Sequence, residues 1–333
     1  MGGPVLKIEL SAPAQPPWLR FPSPAQGGTD CMGPPVPDRN APDAVAVLRQ
    51  WQLGAAAVAV LPSLCFAVAW KASGPHLLVP AVTAFGVLSS AWQARRERGH
   101  GLLSVAWPIV WWPLLYLAPV DAVSVDPSRY IDETLKRWDA VLLATGAEHM
   151  PRWTLGGPLE ELANVFYVGF YLVVPLNLLG AWMRRGEEAA LRHGLALLLG
   201  LAACSVIWLI IPSGGYHETG SPLSPGWGPA TEVARWIYRM NPHYAAAFPS
   251  SHVALSVASA TVVAREGGTR LWFIFALGVC FATVYGQYHY LVDVPPGFVI
   301  GLAAGWVATA VGRRPRGEGS DRRPGPASPG GTG

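Results

Sequence analysis

Apolar and polar positions along this chain fall into long blocks. Eight apolar runs cover approximately residues 47–70, 77–94, 101–120, 160–182, 191–212, 248–264, 270–288 and 294–311. Most are near the length, about 20 residues, that a helix needs to cross a hydrocarbon core of about 30 Å. The pattern predicts an all-α, polytopic membrane helix bundle of about eight spans. Three N-terminal spans lie within residues 44–120 and the rest within 160–311. Residues 1–43 and 312–333 are rich in Pro and Gly and hold no apolar run, so both read as disordered tails. No continuous hydrophobic stretch in 1–43 suits a signal peptide.

Residues 121–159 break the blocks. Ile131, Leu135, Trp138, Val141 and Leu142 recur at helical spacing with charges between them. An amphipathic helix on the outer membrane surface and an ordinary packed extramembrane helix fit this pattern equally.

Composition agrees with a membrane setting. Hydrophobic residues make up 51% of the 333, charged residues only 14%, and mean hydropathy is +0.29. Soluble domains carry about 25% charged residues. The net charge of +3 is small; it reads as loop topology and gives no footprint for nucleic acid. Cys31, Cys65, Cys204 and Cys280 show no CxxC or Cys/His spacing, which supports neither a zinc site nor a disulfide framework. Many of the 15 tryptophans, such as Trp51, Trp92, Trp182 and Trp306, fall near run ends, as interfacial anchors do.

Charge orients the bundle. Connections after the even spans are basic: Arg95, Arg96 and Arg98; Arg184, Arg185 and Arg192; Arg265 and Arg270; then Arg313, Arg314 and Arg316. By the positive-inside rule these connections and both termini are cytoplasmic. Connections after odd spans, roughly 121–159 and 213–247, then face outward.

Two short stretches carry chemistry. Phe248-Pro249-Ser250-Ser251-His252 opens the sixth run, and His289-Tyr290-Leu291-Val292-Asp293 separates the seventh from the eighth. The topology puts both on the outer side. Ser250 and Ser251 suit a helix start, and a helix N-terminus offers backbone N–H groups to a phosphate, to which the serine hydroxyls can add donors. His252 in the first turn suits a general acid. His289 suits a nucleophile, since a neutral imidazole can hold a phosphoryl group covalently. Asp293, four residues on, can reach the other ring nitrogen if the segment is helical. Asp293 also precedes Val294-Pro295-Pro296 and reads equally as a helix N-cap. No metal or other cofactor is needed by this scheme. Ionisable groups at spans are costly, which makes them functional candidates.

These stretches resemble the second and third signatures of the type 2 phosphatidic acid phosphatase superfamily, Pro-Ser-x-His and His-x-x-x-Asp on a six-helix membrane core. The resemblance covers roughly residues 160–311. It implies His289 as nucleophile, His252 as acid and Asp293 as orienting carboxylate. The family's first signature, a Lys followed after six residues by Arg-Pro, does not occur here, and its usual Ser-Arg pair is replaced by Ala282-Thr283. The inositol phosphorylceramide synthase branch looks closer. Its third signature, Thr-x-Tyr-x-x-x-His-Tyr-x-Val-Asp, is similar to Thr283 through Asp293, and its Ala-Phe-Pro-Ser-x-His is similar to Ala247 through His252. Members of that branch transfer a phospho-alcohol headgroup between lipids.

Something must balance phosphate charge where the family cations are missing. Arg235 and Arg239, four apart before His252, are the first candidates for substrate binding, with His243, His217 and Gln287 behind them; Tyr285 can line the pocket. The expectation is a multi-pass cell-membrane enzyme with its site on the extracytoplasmic face, acting on a phospholipid or sphingolipid. Its activity is phosphotransfer through a phosphohistidine. A lipid phosphate or pyrophosphate phosphatase is the alternative, and an inactive membrane scaffold or a transporter the second.

Overall fold

The computed structural model describes residues 44–69, 74–96, 102–143, 157–216, 228–240 and 245–311. The expected tails lie outside the described residues, as do His217 and His243. Ten α-helices occur among the described residues: α1 (Ala44–Ala69), α2 (Pro75–Arg96), α3 (Leu102–Val123), α4 (Asp132–Leu142), α5 (Gly157–Arg185), α6 (Glu187–Ile210), α7 (Pro229–Met240), α8 (Ser251–Arg265), α9 (Leu271–Tyr285) and α10 (Val294–Ala310). The protein is an all-α bundle, and eight of these helices fall on the eight apolar runs.

Four stretches among the described residues are long and apolar enough to cross a membrane: Ala44–Ala69, Gly157–Arg185, Glu187–Ile210 and Leu291–Ala310. Helices α8 and α9 have 15 residues each. At 1.5 Å per residue that is about 22 Å, short of a hydrocarbon core of about 30 Å. The reason is local. Both helices give up a turn to the segments 245–250 and 286–293, which carry the site's backbone contacts.

Helix α6 is the central post. It packs against α1, α3, α5, α8 and α10 and buries Leu191, Leu195, Leu198, Leu201 and Trp208. Lipid tails are as apolar as these side chains, so close packing and small residues hold membrane helices together more than hydrophobicity does. α10 shows this directly. Gly297, Gly301 and Gly305, spaced by four, all face α8. A Cβ at Gly297 would stand 2.6 Å from the Ser250 carbonyl oxygen, and one at Gly305 would stand 2.6 Å from Thr261 Cβ. Only glycine lets the two helices approach this closely. At the opposite end, Arg49 pairs with Glu187 at 2.6 Å, and Arg192 pairs with both Glu188 and Glu266.

Helix α4 presents two unlike faces. Its buried positions are Asp132, Leu135 and Asp139, whereas Trp138, Val141 and Leu142 are exposed. The five apolar positions therefore do not form one buried stripe. The carboxylates, seven residues and two turns apart, share the inner face with Leu135 because each finds backbone N–H donors there. Leu135 and Ile131 join a small core with Tyr216, Ala247, Val284 and Tyr290. α4 thus turns its acidic face toward the bundle and Trp138, Val141 and Leu142 away from it.

Candidate active site

Three segments converge between the ends of α6, α8, α9 and α10. The first leaves α6. Ser213 forms a parallel bridge with Ala246; its carbonyl accepts from Ala247 N at 3.0 Å and its hydroxyl from Phe248 N at 2.8 Å. The second segment, 245–250, is held from below by Trp208, whose indole N–H donates to the Pro249 carbonyl at 3.1 Å. Ser250 then caps α8, its hydroxyl accepting from Val253 N at 3.4 Å. Ser251 and His252 follow, both buried, in the first turn.

The third segment ends α9. Gly286 N reaches back to Ala282 O, and Tyr288 N and His289 N both reach Thr283 O. The chain reverses through Gln287, which sits at φ 56°, a left-handed conformation uncommon for a residue with a side chain. Gln287 Oε1 and the Tyr288 hydroxyl are both buried without a hydrogen-bond partner.

This geometry brings His252, His289 and Asp293 together. His289 Nδ1 lies 2.8 Å from the Ala247 carbonyl oxygen and 3.2 Å from Asp293 Oδ2. His289 Nε2 lies 3.4 Å from His252 Nδ1. His252 Nε2 lies 3.0 Å from the Tyr171 hydroxyl. A carbonyl only accepts, so His289 Nδ1 carries the proton and Nε2 keeps its lone pair. The remaining bonds follow in sequence. His252 Nδ1–H points at that lone pair, and Tyr171 O–H donates to His252 Nε2.

Asp293 does not reach His289 through a helical turn. Residues Leu291–Asp293 form a single 3₁₀ turn. Asp293 occupies the N-cap position of α10 but makes no side-chain cap there. Its Oδ2 turns back to His289 and to Tyr290 N at 2.9 Å. Of the two readings of this residue, the carboxylate facing His289 matches the geometry. The nearer partner of Nδ1, the Ala247 carbonyl, had no side-chain signal in the sequence.

Other expected residues lie further out. Arg235 and Arg239 share α7, as their spacing implies. Arg235 pairs with Glu232 at 3.1 Å and Arg239 is exposed; neither is brought against the two histidines. Tyr285 ends α9 half-buried, its ring stacked on Phe281 at 5.6 Å.

Sequence reasoning missed the aromatic wall. Tyr167, Phe170 and Tyr171 of α5 surround the His252 ring, with centroids 5.1, 4.8 and 5.7 Å away. Tyr288 stacks on Tyr167 at 3.9 Å. The signal available was three aromatics at i, i+3 and i+4 in a span, two of them with hydroxyls. It also missed α4. Asp132 accepts from Gly214 N, Gly215 N and the Tyr290 hydroxyl. Asp139 accepts from Leu291 N, Val292 N and the Tyr216 hydroxyl. Burial pushes the Asp139 carboxyl up, against these three hydrogen bonds that favour its charged form.

No curated protein and no solved structure matches the chain. Residues 195–316, the stretch from α6 onward that contains His252, His289 and Asp293, match the family model of the PAP2 superfamily, which supports kinship with the type 2 phosphatidic acid phosphatases and their lipid phosphatase and phosphotransferase chemistry.

Proposed function

We propose that this protein is an integral-membrane phosphotransferase that moves a phosphoryl or phospho-alcohol headgroup between lipids through a covalent intermediate on His289. The observation that carries the reading is the hydrogen-bond chain from Ala247 O through His289 and His252 to Tyr171. It leaves the lone pair of His289 Nε2 aimed at the His252 imidazole, with Asp293 behind to stabilise the imidazolium that forms.

In the first step Nε2 attacks phosphorus, a P–N bond forms and the bond to the leaving alkoxide breaks. His252, as imidazolium, gives its Nδ1 proton to that oxygen, while the Tyr171 oxygen accepts from Nε2–H. In the second step His252 takes the proton of an acceptor alcohol, the new oxygen attacks phosphorus, and the P–N bond breaks to restore the lone pair. Phosphorus must enter between the two rings. The attack distance on the His289 side is about 3–3.5 Å and the leaving oxygen stands between phosphorus and His252, so the 3.4 Å nitrogen–nitrogen gap must widen as substrate enters.

Ser250, Ser251 and Tyr285 line the approach in this reading, and Arg235 and Arg239 flank it on α7. The arginine distribution supports a site on the extracytoplasmic face with both termini cytoplasmic. The inositol phosphorylceramide synthase-like match of residues 283–293 favours transfer to a second lipid over hydrolysis.

The test uses purified protein in mixed micelles with a headgroup-labelled phosphoinositol lipid and ceramide, and separately with labelled phosphatidic acid. A new labelled lipid supports the transferase; free phosphate from phosphatidic acid, with no transfer, supports the phosphatase. His289→Asn should lose several orders of magnitude in either assay. Undiminished turnover in a folded His289→Asn protein refutes the covalent mechanism, and no turnover of any kind in the native protein leaves the scaffold or transporter reading.

A further inference from the structure

Beyond the two histidines and Asp293, the most heavily bonded feature of the site is a pair of carboxylates that the proposed chemistry does not use. Asp132 and Asp139 are 8% and 1% exposed. They stand two turns apart on α4, outside the stretch matched by the family model. Between them they accept from six donors, Gly214 N being shared between both oxygens of Asp132, and every donor belongs to one of two loops. Gly214, Gly215 and Tyr216 belong to the loop after α6; Tyr290, Leu291 and Val292 belong to the loop that carries His289.

The same elements are fixed by further contacts. Ile131 N donates to Pro212 O at 3.1 Å, and Arg129 donates to Leu209 O at 2.9 Å. The loop after α6 in turn holds the second segment, since Ser213 binds Ala247 N and Phe248 N. Ala247 O is the nearest partner of His289 Nδ1. α4 therefore touches the nucleophile's surroundings from two directions. Through Asp139 it holds the backbone two and three residues after His289. Through Asp132 it holds the loop that positions the carbonyl behind the ring.

We infer that α4 is a brace for the nucleophile loop, and that Asp139, supported by Asp132, is a positioning residue for His289. The inference rests on the reading of His289 as nucleophile. Buried carboxylates that do no more than stabilise a helix would cap their own first turn. These reach across to two separate loops, and a carboxylate is the one side chain that accepts from three donors at once without offering a competing N–H. The geometry explains why acidic residues occupy the inner face of a helix whose Trp138, Val141 and Leu142 point outward.

Asparagine is the informative substitution. Asp139→Asn keeps the volume but turns an NH₂ group toward Leu291 N–H or Val292 N–H, two donors face to face. Asp139→Glu keeps all acceptor capacity. With the labelled lipid that the native protein turns over, Asp139→Asn should lose about 10- to 100-fold in kcat with KM nearly unchanged, the effect of misplacing a reacting group by up to an ångström. Asp139→Glu should recover part of that loss. Hydrogen exchange of a peptide covering 290–292 should speed up in Asp139→Asn and not in Asp139→Glu.

Faster exchange with unchanged kcat overturns the inference, because the brace would then be structural alone; so does unchanged exchange with unchanged kcat. If Asp139→Asn does not fold, Tyr290→Phe removes a single bond to Asp132. A several-fold fall in its kcat at constant KM supports the brace, and native kcat overturns it. His289→Asn is measured in parallel. If that variant is dead while Asp139→Asn is fully active, the brace fails and the reaction stands; if His289→Asn keeps turnover, the reaction itself has failed and the positioning role falls with it.

Discussion

Replacing Gly297 by alanine tests whether the approach of α10 to α8 sets the distance between the two histidine-bearing segments. The added Cβ would stand 2.6 Å from the Ser250 carbonyl oxygen and 3.3 Å from Val253 Cβ. Ordinary contact begins near 3.4 Å, so the helices must part by roughly 0.8 Å at this level. Asp293 lies four residues before Gly297, about 6 Å along the axis. Its carbonyl accepts from Ser250 N at 3.2 Å, a bond that cannot survive such a shift. Overpacking of this kind costs about 1–3 kcal/mol of stability, and a shift approaching 1 Å among reacting groups lowers turnover up to about 100-fold. Gly305→Ala supplies the control. Its Cβ meets Thr261 Cβ at the same 2.6 Å, but 12 residues, about 18 Å, from Asp293. Thermal unfolding in detergent should fall by similar amounts in the two variants, while lipid turnover per folded molecule should fall steeply only in Gly297→Ala. Equal activity losses in both, or full activity in a destabilised Gly297→Ala, would refute the geometric argument.

Three further substitutions probe side-chain hydrogen bonds. Tyr171→Phe removes the hydroxyl facing His252 Nε2; kcat should drop about tenfold, the equivalent of one bond of about 1.5 kcal/mol to a charged group, with unfolding unchanged. Trp208→Phe leaves the buried Pro249 carbonyl without its donor and should lower stability by about 1–3 kcal/mol in thermal or denaturant unfolding. Glu161 accepts from Ala230 N, Thr231 N and the Thr231 hydroxyl, so it caps α7 from α5. Glu161→Ala should loosen that helix start by about 1–2 kcal/mol, read as faster proteolysis or amide exchange at residues 229–232 while exchange in α8 stays native.

The helices were legible because a long apolar run has few alternatives once backbone groups must be satisfied internally. His252 and His289 were legible for a related reason. An ionisable ring beside Pro-Ser-Ser, or four residues before Asp, is rare at the edge of an apolar run and stands out. What surrounds them was not legible. The Ala247 carbonyl behind His289 is a backbone atom, and no residue type announces it. Tyr171 reaches His252 from another helix, 81 positions away. Asp132 and Asp139 were visible as charges in a loop, but their partners are four backbone N–H groups and two tyrosine hydroxyls from two loops far along the chain. Apolar spacing marked residues 128–148 as a helix with an apolar face; Trp138, Val141 and Leu142 are exposed on it, and what spacing did not show is that two carboxylates with six donors turn another face inward. The reach of Asp293 followed from a spacing of four that suits a helix. A 3₁₀ turn after an extended Tyr290 achieves the same encounter by a different path.

The missing family cations raise the question of what holds phosphate charge. Two helices, α8 and α10, begin at the site, and their N-cap residues are tied by the bond from Ser250 N to Asp293 O. Each helix N-terminus carries about half a positive charge, so two together approach the charge of one arginine, while free N–H groups come from the first turn of α8, since Pro295 and Pro296 of α10 have none. This pair of dipoles sits beside the histidines, whereas Arg239 is exposed on α7 and Arg235 is engaged with Glu232. The dipoles are fixed by the fold, need no side-chain ordering, and act most strongly where water is thin. On this account Arg239→Ala changes kcat/KM by less than about tenfold, the loss of a long-range attraction of up to 1.4 kcal/mol, and raising the salt concentration shrinks even that difference because exposed charges are screened. A fall of 100-fold or more, unaffected by salt, would mean that Arg239 swings onto the phosphate and that the cation of this site is a mobile side chain on α7.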